Sequence, residues 1–141
     1  MEGLGTQVIV ELFDCNKVDI NNTEKVKEIM LNAARISKAT IIEHIFHKFS
    51  PHGISGVIVI SESHFTIHTW PEYGYVAVDI FTCGDFDYKA ALDYIKTEFR
   101  SERSSVFNFQ RGILPEIFKE EQRSVLMEKA NAGCLKERRI P

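Results

Sequence analysis

The chain is 141 residues long and 44% of its residues are hydrophobic, which is enough for one well-formed core. We therefore expect a single domain over residues 1–141, because no stretch rich in Gly, Pro or Ser divides the chain. Its 17 basic and 20 acidic residues are spread along the sequence and leave a formal net charge of -3. This distribution argues against nucleic-acid binding, which usually requires a basic stripe.

Targeting signals and cysteine frameworks are not indicated. The first residues, MEGLGTQVIVELFD, lack the basic region and the long apolar region of a signal peptide, and no stretch reaches the length of a membrane span. We expect a cytoplasmic protein with no membrane partner. Cys15, Cys83 and Cys134 are widely spaced and form no CxxC pair, so neither a disulfide framework nor a zinc knuckle is predicted.

The first part of the chain predicts a strand, a helix and a second strand. Residues 6–13 alternate between apolar and polar types as a half-buried strand does. Residues 23–37 place their apolar side chains on one helical face, which predicts a helix with one buried side. Residues 40–49 return to a strand-like composition and end at a turn, Ser50-Pro51-His52-Gly53.

The second part predicts core strands followed by a helix and a last strand. Two runs, 57–60 and 76–81, are almost continuously apolar and rich in β-branched residues, which is typical of strands covered on both faces. Residues 88–99 predict a second amphipathic helix, and residues 105–110 predict a final strand. After Pro115 the pattern predicts a further helix to about Ala130. The charged residues 131–141 have the composition of a disordered tail.

These elements predict an α+β fold in which helices lie on one face of a mainly antiparallel sheet, giving two layers. The runs 57–60 and 76–81 are apolar on both faces, so the second face of the sheet also needs a cover. Few elements remain in the chain to supply it. We therefore expect a homodimer in which two sheets pack face to face as a four-layer αββα sandwich.

Between the two apolar runs lies a polar stretch that buried strands rarely tolerate. Such side chains must be hydrogen-bonded, lie at the end of a strand, or form a site, and we favour a site. The polar residues of this stretch are Ser61, Glu62, Ser63, His64, Thr66, His68, Thr69 and Glu72.

The string SESHFTIHTWPEYGY, followed by DIFTCGD, resembles the prokaryotic, pyruvoyl-dependent type of the S-adenosylmethionine decarboxylase family. The resemblance includes FHKFSPHGISGV, extends from about Gly5 to about Arg111, and gains nothing after about Ile113. It implies a self-processing carboxy-lyase that converts S-adenosylmethionine to its decarboxylated form and CO2 in spermidine biosynthesis. It also implies the dimeric αββα arrangement.

By this resemblance, the chain is cleaved between Glu62 and Ser63. The Ser63 hydroxyl attacks the Glu62 carbonyl to form an ester, β-elimination breaks the chain, and hydrolysis leaves a pyruvoyl group at position 63. The products would be residues 1–62 and residues 63–141. A pyruvoyl group forms a Schiff base with the substrate and accepts the electrons that decarboxylation releases, which no ordinary side chain can do.

The resemblance also implies roles for five other residues. Ser55 would hydrogen-bond the scissile carbonyl, and His68 would accept a proton during processing. Cys83 would return a proton to the α-carbon of the substrate after CO2 leaves. Phe49 would stack on the adenine, and Glu72 would accept hydrogen bonds from the ribose hydroxyls.

Two spacings bear on the geometry of this region. On a strand, His64 and His68 would lie roughly 13 Å apart, so they cannot share one ion, and no metal site is predicted. Ser63 and His68 differ by five positions, so a flat strand would place them on opposite faces. We expect a turn or a bulge at the cleavage point to resolve this.

Two alternatives remain open. A pyruvoyl group decarboxylates amino acids in general, so the substrate could be arginine or ornithine. Phe49 and Glu72 favour the nucleoside, because a simple amino acid has neither adenine nor ribose. The chain could instead be a noncatalytic homologue that stays uncut and serves as a binding or dimerisation partner, although all the processing residues are present.

Overall fold

Six antiparallel strands form one sheet in the order β2-β3-β4-β5-β1-β6 within residues 3–114, which are the residues that the computed structural model describes. The strands are β1 (Gly5–Phe13), β2 (Thr40–Lys48), β3 (Ile54–Ser61), β4 (Ser63–Trp70), β5 (Tyr75–Thr82) and β6 (Arg103–Arg111). The helices are α1 (Thr23–Ile36) and α2 (Tyr88–Glu98), and short 3-10 helices lie at Asp19–Asn21 and Pro71–Tyr73.

The α+β fold and the predicted elements up to β6 are confirmed. The main addition concerns the polar stretch between the two apolar runs, because residues 63–70 form the central strand β4. The helix predicted after Pro115 and the tail predicted at 131–141 lie outside the described residues. The single domain over residues 1–141 therefore stays a prediction.

Both helices cover the same face of the sheet, which we call the covered face. Helix α1 begins where the Asn22 side chain accepts a hydrogen bond from the Lys25 backbone N–H, and Asp87 caps α2 by accepting from Ala90. The core consists of the inward sides of the helices and alternate residues of the strands. Its fully buried strand residues include Val8, Val10, Leu12, Phe65, Ile67, Val76, Val78 and Ile80.

The opposite face of the sheet, which we call the open face, has no covering layer among residues 3–114. Val57 and Val59 project there and remain 37% and 41% exposed, although their apolar run predicts cover on both sides. Further apolar side chains on the open face are Ile9, Ile45, Trp70, Phe107 and Phe109. A sheet face with this many exposed apolar side chains is a candidate interaction surface.

The covered face accounts for the stability of the single chain. Ile95 in α2 is fully buried, so we expect Ile95→Ala to lower the free energy of unfolding by about 2–5 kcal/mol, through lost apolar burial and the cavity it leaves. Urea unfolding followed by circular dichroism measures this change. The matched control is Ile36→Ala in α1, where the side chain is 42% exposed and we expect a loss below about 1 kcal/mol. Equal losses in the two variants would contradict this assignment of the core.

Candidate active site

The predicted cleavage site lies at the tip of the β3–β4 hairpin. Ile60 pairs with Ser63 across the two strands, so Ser61 and Glu62 form a two-residue connection between them. Glu62 is exposed there, and Ser63 is the first residue of β4. The Glu62-Ser63 bond therefore joins an exposed turn residue to the first residue of the ladder.

Ser63 lies beside Cys83, as a shared role in one site requires. The Ser63 Oγ and the Cys83 Sγ are 3.8 Å apart. Ser63 pairs with Thr82, the last residue of β5, so Cys83 follows directly after the pairing partner. Gly84 has a φ of +89°, a left-handed conformation that favours glycine, and it turns the chain away from the sheet at this point.

A second pair of candidate residues is formed by Ser55 and His68. They oppose each other across β3 and β4, and the Ser55 Oγ lies 2.7 Å from the His68 Nδ1. Both side chains project from the open face. Either group can donate in this contact, depending on the tautomer of the ring, and in both cases the contact holds the orientation of the imidazole.

The Ser55–His68 pair lines a cavity of about 380 Å³. Phe49 and Glu72, the two predicted substrate-binding residues, line the same cavity. A volume of this size is within the range of small-molecule sites, and an aromatic ring beside a carboxylate suits a ligand with a flat base and hydroxyl groups. Trp70 also lines the cavity, although the sequence analysis gave it no role.

His52 is a further residue of this cavity that the sequence analysis missed as a site residue. Its Nε2 lies 2.8 Å from the Glu72 Oε2, and both side chains line the cavity. His52 belongs to the turn before β3, whereas Glu72 belongs to the 3-10 helix after β4. Twenty positions separate them in the sequence, and no local pattern indicates such a contact.

The two pairs do not form one site within a single chain. Ser55–His68 and Ser63 are five residues apart along the regular β3–β4 ladder, which corresponds to roughly 17 Å. Ser63 also pairs with Thr82, whose side chain is buried toward the covered face, whereas His68 lies on the open face. The expected turn at the cleavage point is present, but it does not bring Ser63 to His68.

Three further features of residues 3–114 concern metal ligands, helix length and a buried thiol. No group of three His, Cys, Asp or Glu side chains in this range is placed to hold a metal ion. None of the helices described there is long and apolar enough to cross a membrane. Cys15 is buried against the core, and desolvation, partly offset by a hydrogen bond with Ser101, raises the pKa of its thiol to about 11.

The six-stranded antiparallel sheet with two helices on one face is the fold of a decarboxylase. The family model described as S-adenosylmethionine decarboxylase matches residues 6–112. The chain belongs to the S-adenosylmethionine decarboxylase family.

Sequence and structure similarity to individual proteins supports this family assignment. The chain is 51% identical over 118 residues to the S-adenosylmethionine decarboxylase proenzyme of Thermosipho africanus, covering 83% of this chain and 91% of that protein. It is 48% identical over 122 residues to the proenzyme of the same name from Pelotomaculum thermopropionicum, covering 86% and 97%. The crystal structure of the adenosylmethionine decarboxylase from Aquifex aeolicus is similar with a TM-score of 0.74 and 35% identity, covering 81% of this chain and 95% of that one.

The surroundings of the cysteines lead to a labelling prediction. With a pKa of about 11, only about one in a thousand Cys15 thiols is ionised at pH 8, and the side chain is buried. Cys83 is half-buried beside Ser63. We expect iodoacetamide at pH 8 to modify Cys83 well before Cys15, as measured by peptide mass mapping over time. The same reaction in urea is the control and should remove the difference, whereas rapid modification of Cys15 in the folded protein would contradict its burial.

Proposed function

We propose that this chain is the precursor of a pyruvoyl-dependent enzyme that converts S-adenosylmethionine to decarboxylated S-adenosylmethionine and CO2. The observation that carries the proposal is the position of Ser63, directly after an exposed turn residue and 3.8 Å from a cysteine thiol, in a chain of this family. Cleavage of the Glu62-Ser63 bond and a cytoplasmic location are parts of the same proposal.

The hairpin tip suits the cleavage step. The Ser63 hydroxyl attacks the preceding carbonyl carbon, the peptide C–N bond breaks, and an ester joins Glu62 to the serine oxygen. Removal of the Ser63 α-proton then expels the Glu62 carboxylate, and water replaces the nitrogen, which leaves as ammonia. Attack on a neighbouring carbonyl needs a backbone that can depart from strand geometry, and Glu62, which carries the attacked carbonyl, is the turn residue before the ladder.

The residues around Ser63 fit a pyruvoyl group at that position. Its site lies at a strand end, half-buried, with a thiol 3.8 Å from the serine oxygen and an exposed turn beside it. When present, the group supplies the electron sink that decarboxylation requires. The Cys83 thiol, 3.8 Å from the Ser63 oxygen, would then be the nearby group that donates its S–H proton to the α-carbon of the substrate.

The cavity supports S-adenosylmethionine as the substrate over arginine or ornithine. Phe49 offers an aromatic face to a base, and the Glu72 carboxylate offers acceptor oxygens to hydroxyl groups. Arginine and ornithine have neither a base nor a ribose. An aromatic ring near a sulfonium also gains from cation–π attraction.

The cavity and Ser63 lie at opposite ends of the β3–β4 ladder, so we propose that the complete site forms in a homodimer. Two open faces would pack together across a twofold axis that lies between the sheets and runs across the strands. This operation would bring the Ser63 end of one chain to the His68 end of its partner. After cleavage, residue 63 would be the free end of β4, so its reactive group would no longer be held toward the covered face. The exposed apolar residues of the open face, among them Val57, Val59 and Phe107, supply the buried contact.

Replacement of Ser63 tests the proposed cleavage. Ser63→Ala removes the attacking hydroxyl, so we expect a single uncut chain by intact mass and no CO2 from carboxyl-labelled S-adenosylmethionine. Ser61→Ala is the matched control, since it changes a serine on the other side of Glu62 and should leave cleavage and turnover intact. Turnover of S-adenosylmethionine by Ser63→Ala would contradict the proposal. Release of CO2 only from arginine or ornithine would show that one of these amino acids is the substrate instead.

Heterodimers test whether each site is shared between the two chains of the proposed dimer. Ser63→Ala and His68→Ala homodimers should both be inactive, whereas a co-expressed, doubly tagged heterodimer retains one intact site of the two and should show about half of the wild-type activity. Pairing Ser63→Ala with Cys83→Ala is the control, because both changes affect the same end of the ladder and no intact site remains. Inactivity of both heterodimers would mean that each site is built within one chain.

A further inference from the structure

We propose that His52 is a positioning residue that holds the Glu72 carboxylate in the orientation required to bind the ribose diol of the substrate. This inference rests on the proposed function and adds a residue to which neither the sequence pattern nor the comparisons give a role. Its basis is the 2.8 Å contact between the His52 Nε2 and the Glu72 Oε2 inside the cavity that also contains Phe49.

The backbone on both sides of this contact is anchored independently of it. The Glu72 carbonyl accepts a hydrogen bond from the Lys17 Nζ at 3.1 Å. In the turn that carries His52, the Gly53 N–H donates to the Asn21 Oδ1 at 3.2 Å, and the Gly53 carbonyl accepts from the Phe49 N–H at 2.8 Å. The contact between His52 and Glu72 therefore sets the direction of the side chains rather than the path of the main chain.

The Glu72 carboxylate needs such a partner because it is not otherwise fixed. Its side chain is 34% exposed, and within the described residues His52 is the one side chain that bonds it. A free glutamate samples many rotamers, and binding a diol would then require the loss of that freedom. His52 occupies Oε2, so Oε1 and the remaining lone pairs stay available to two adjacent hydroxyls.

The contact does not depend on the charge of the imidazole. Nε2–H donates in the imidazolium, and it also donates in the neutral tautomer whose Nδ1 is bare. The contribution of His52 is therefore one of geometry. It is expected in KM, because the diol is bound equally in the ground state and the transition state, and not in kcat.

The test measures decarboxylation kinetics for S-adenosylmethionine and for its 2′,3′-dideoxy analogue. We expect His52→Ala to raise KM for S-adenosylmethionine by about three- to tenfold, the worth of one ordinary hydrogen bond at a partly exposed site, with kcat and cleavage at Ser63 unchanged. His52→Gln, whose amide N–H can take the place of Nε2–H, should restore most of the affinity. The dideoxy analogue should show the same KM with wild type and with His52→Ala.

Two controls separate positioning from general damage. His44→Ala removes an exposed histidine of β2 that lies outside the cavity and should leave KM unchanged. In a Glu72→Gln background, His52→Ala should add little, because the two residues act as one unit.

The remaining outcomes would overturn the inference. An unchanged KM for His52→Ala in an active enzyme, or an equal rise for the dideoxy analogue, would refute the role of His52 and leave the proposed function intact. A wild-type chain that cleaves but does not decarboxylate S-adenosylmethionine would refute the proposed function and this inference with it.

Discussion

The pairing register of β3 and β4 is the constraint on which the rest of the site depends. One ladder opposes Ser55 to His68 and, five residues further along, Ile60 to Ser63. Because side chains alternate between the faces of a strand, a slip of one residue would move His68 to the covered face and Ile67 to the open face. Ile58 and Phe65, which oppose each other and are almost fully buried, make that slip costly. The hydrophobic core thus sets the position of the polar pair.

The sheet has two unlike surfaces, and this difference explains why the candidate residues occur where they do. Helices α1 and α2 bury one surface, so polar groups there would need internal partners. The open face carries the Ser55–His68 pair, and Thr66 donates to Asp79 on the same surface at 3.3 Å. Polar side chains therefore lie among apolar ones on a surface that a second chain would cover. In the proposed dimer, the open face would therefore contribute both the apolar contact between the chains and the polar residues of the site.

Much of the fold was predictable from the sequence, because each long element repeats one period. Residues 23–37 carry a helical face, and residues 76–81 carry a strand composition, and both occur as predicted. For the candidate site, the sequence indicated which residues take part but not how they are arranged in space. The family resemblance indicated Ser63 and His68, but it could not reveal that they lie at opposite ends of a ladder, because their distance depends on how the chain folds back. The His52–Glu72 contact could not be predicted from the sequence for the same reason, since it joins two segments that only the tertiary fold brings together.

The strand order also decides what a cut at the hairpin tip would do to the molecule. The segment before Ser63 contributes β1, β2 and β3, and the segment from Ser63 onward contributes β4, β5 and β6, so three of the five ladders, β3–β4, β5–β1 and β1–β6, join one segment to the other. Strand β1 lies between two strands of the second segment. The two pieces would be interlaced, and neither could leave without breaking the shared core. Maturation would then remove a covalent connection while keeping the architecture, but a chain unfolded after the cut would have to reassemble from two partners at a concentration-dependent rate.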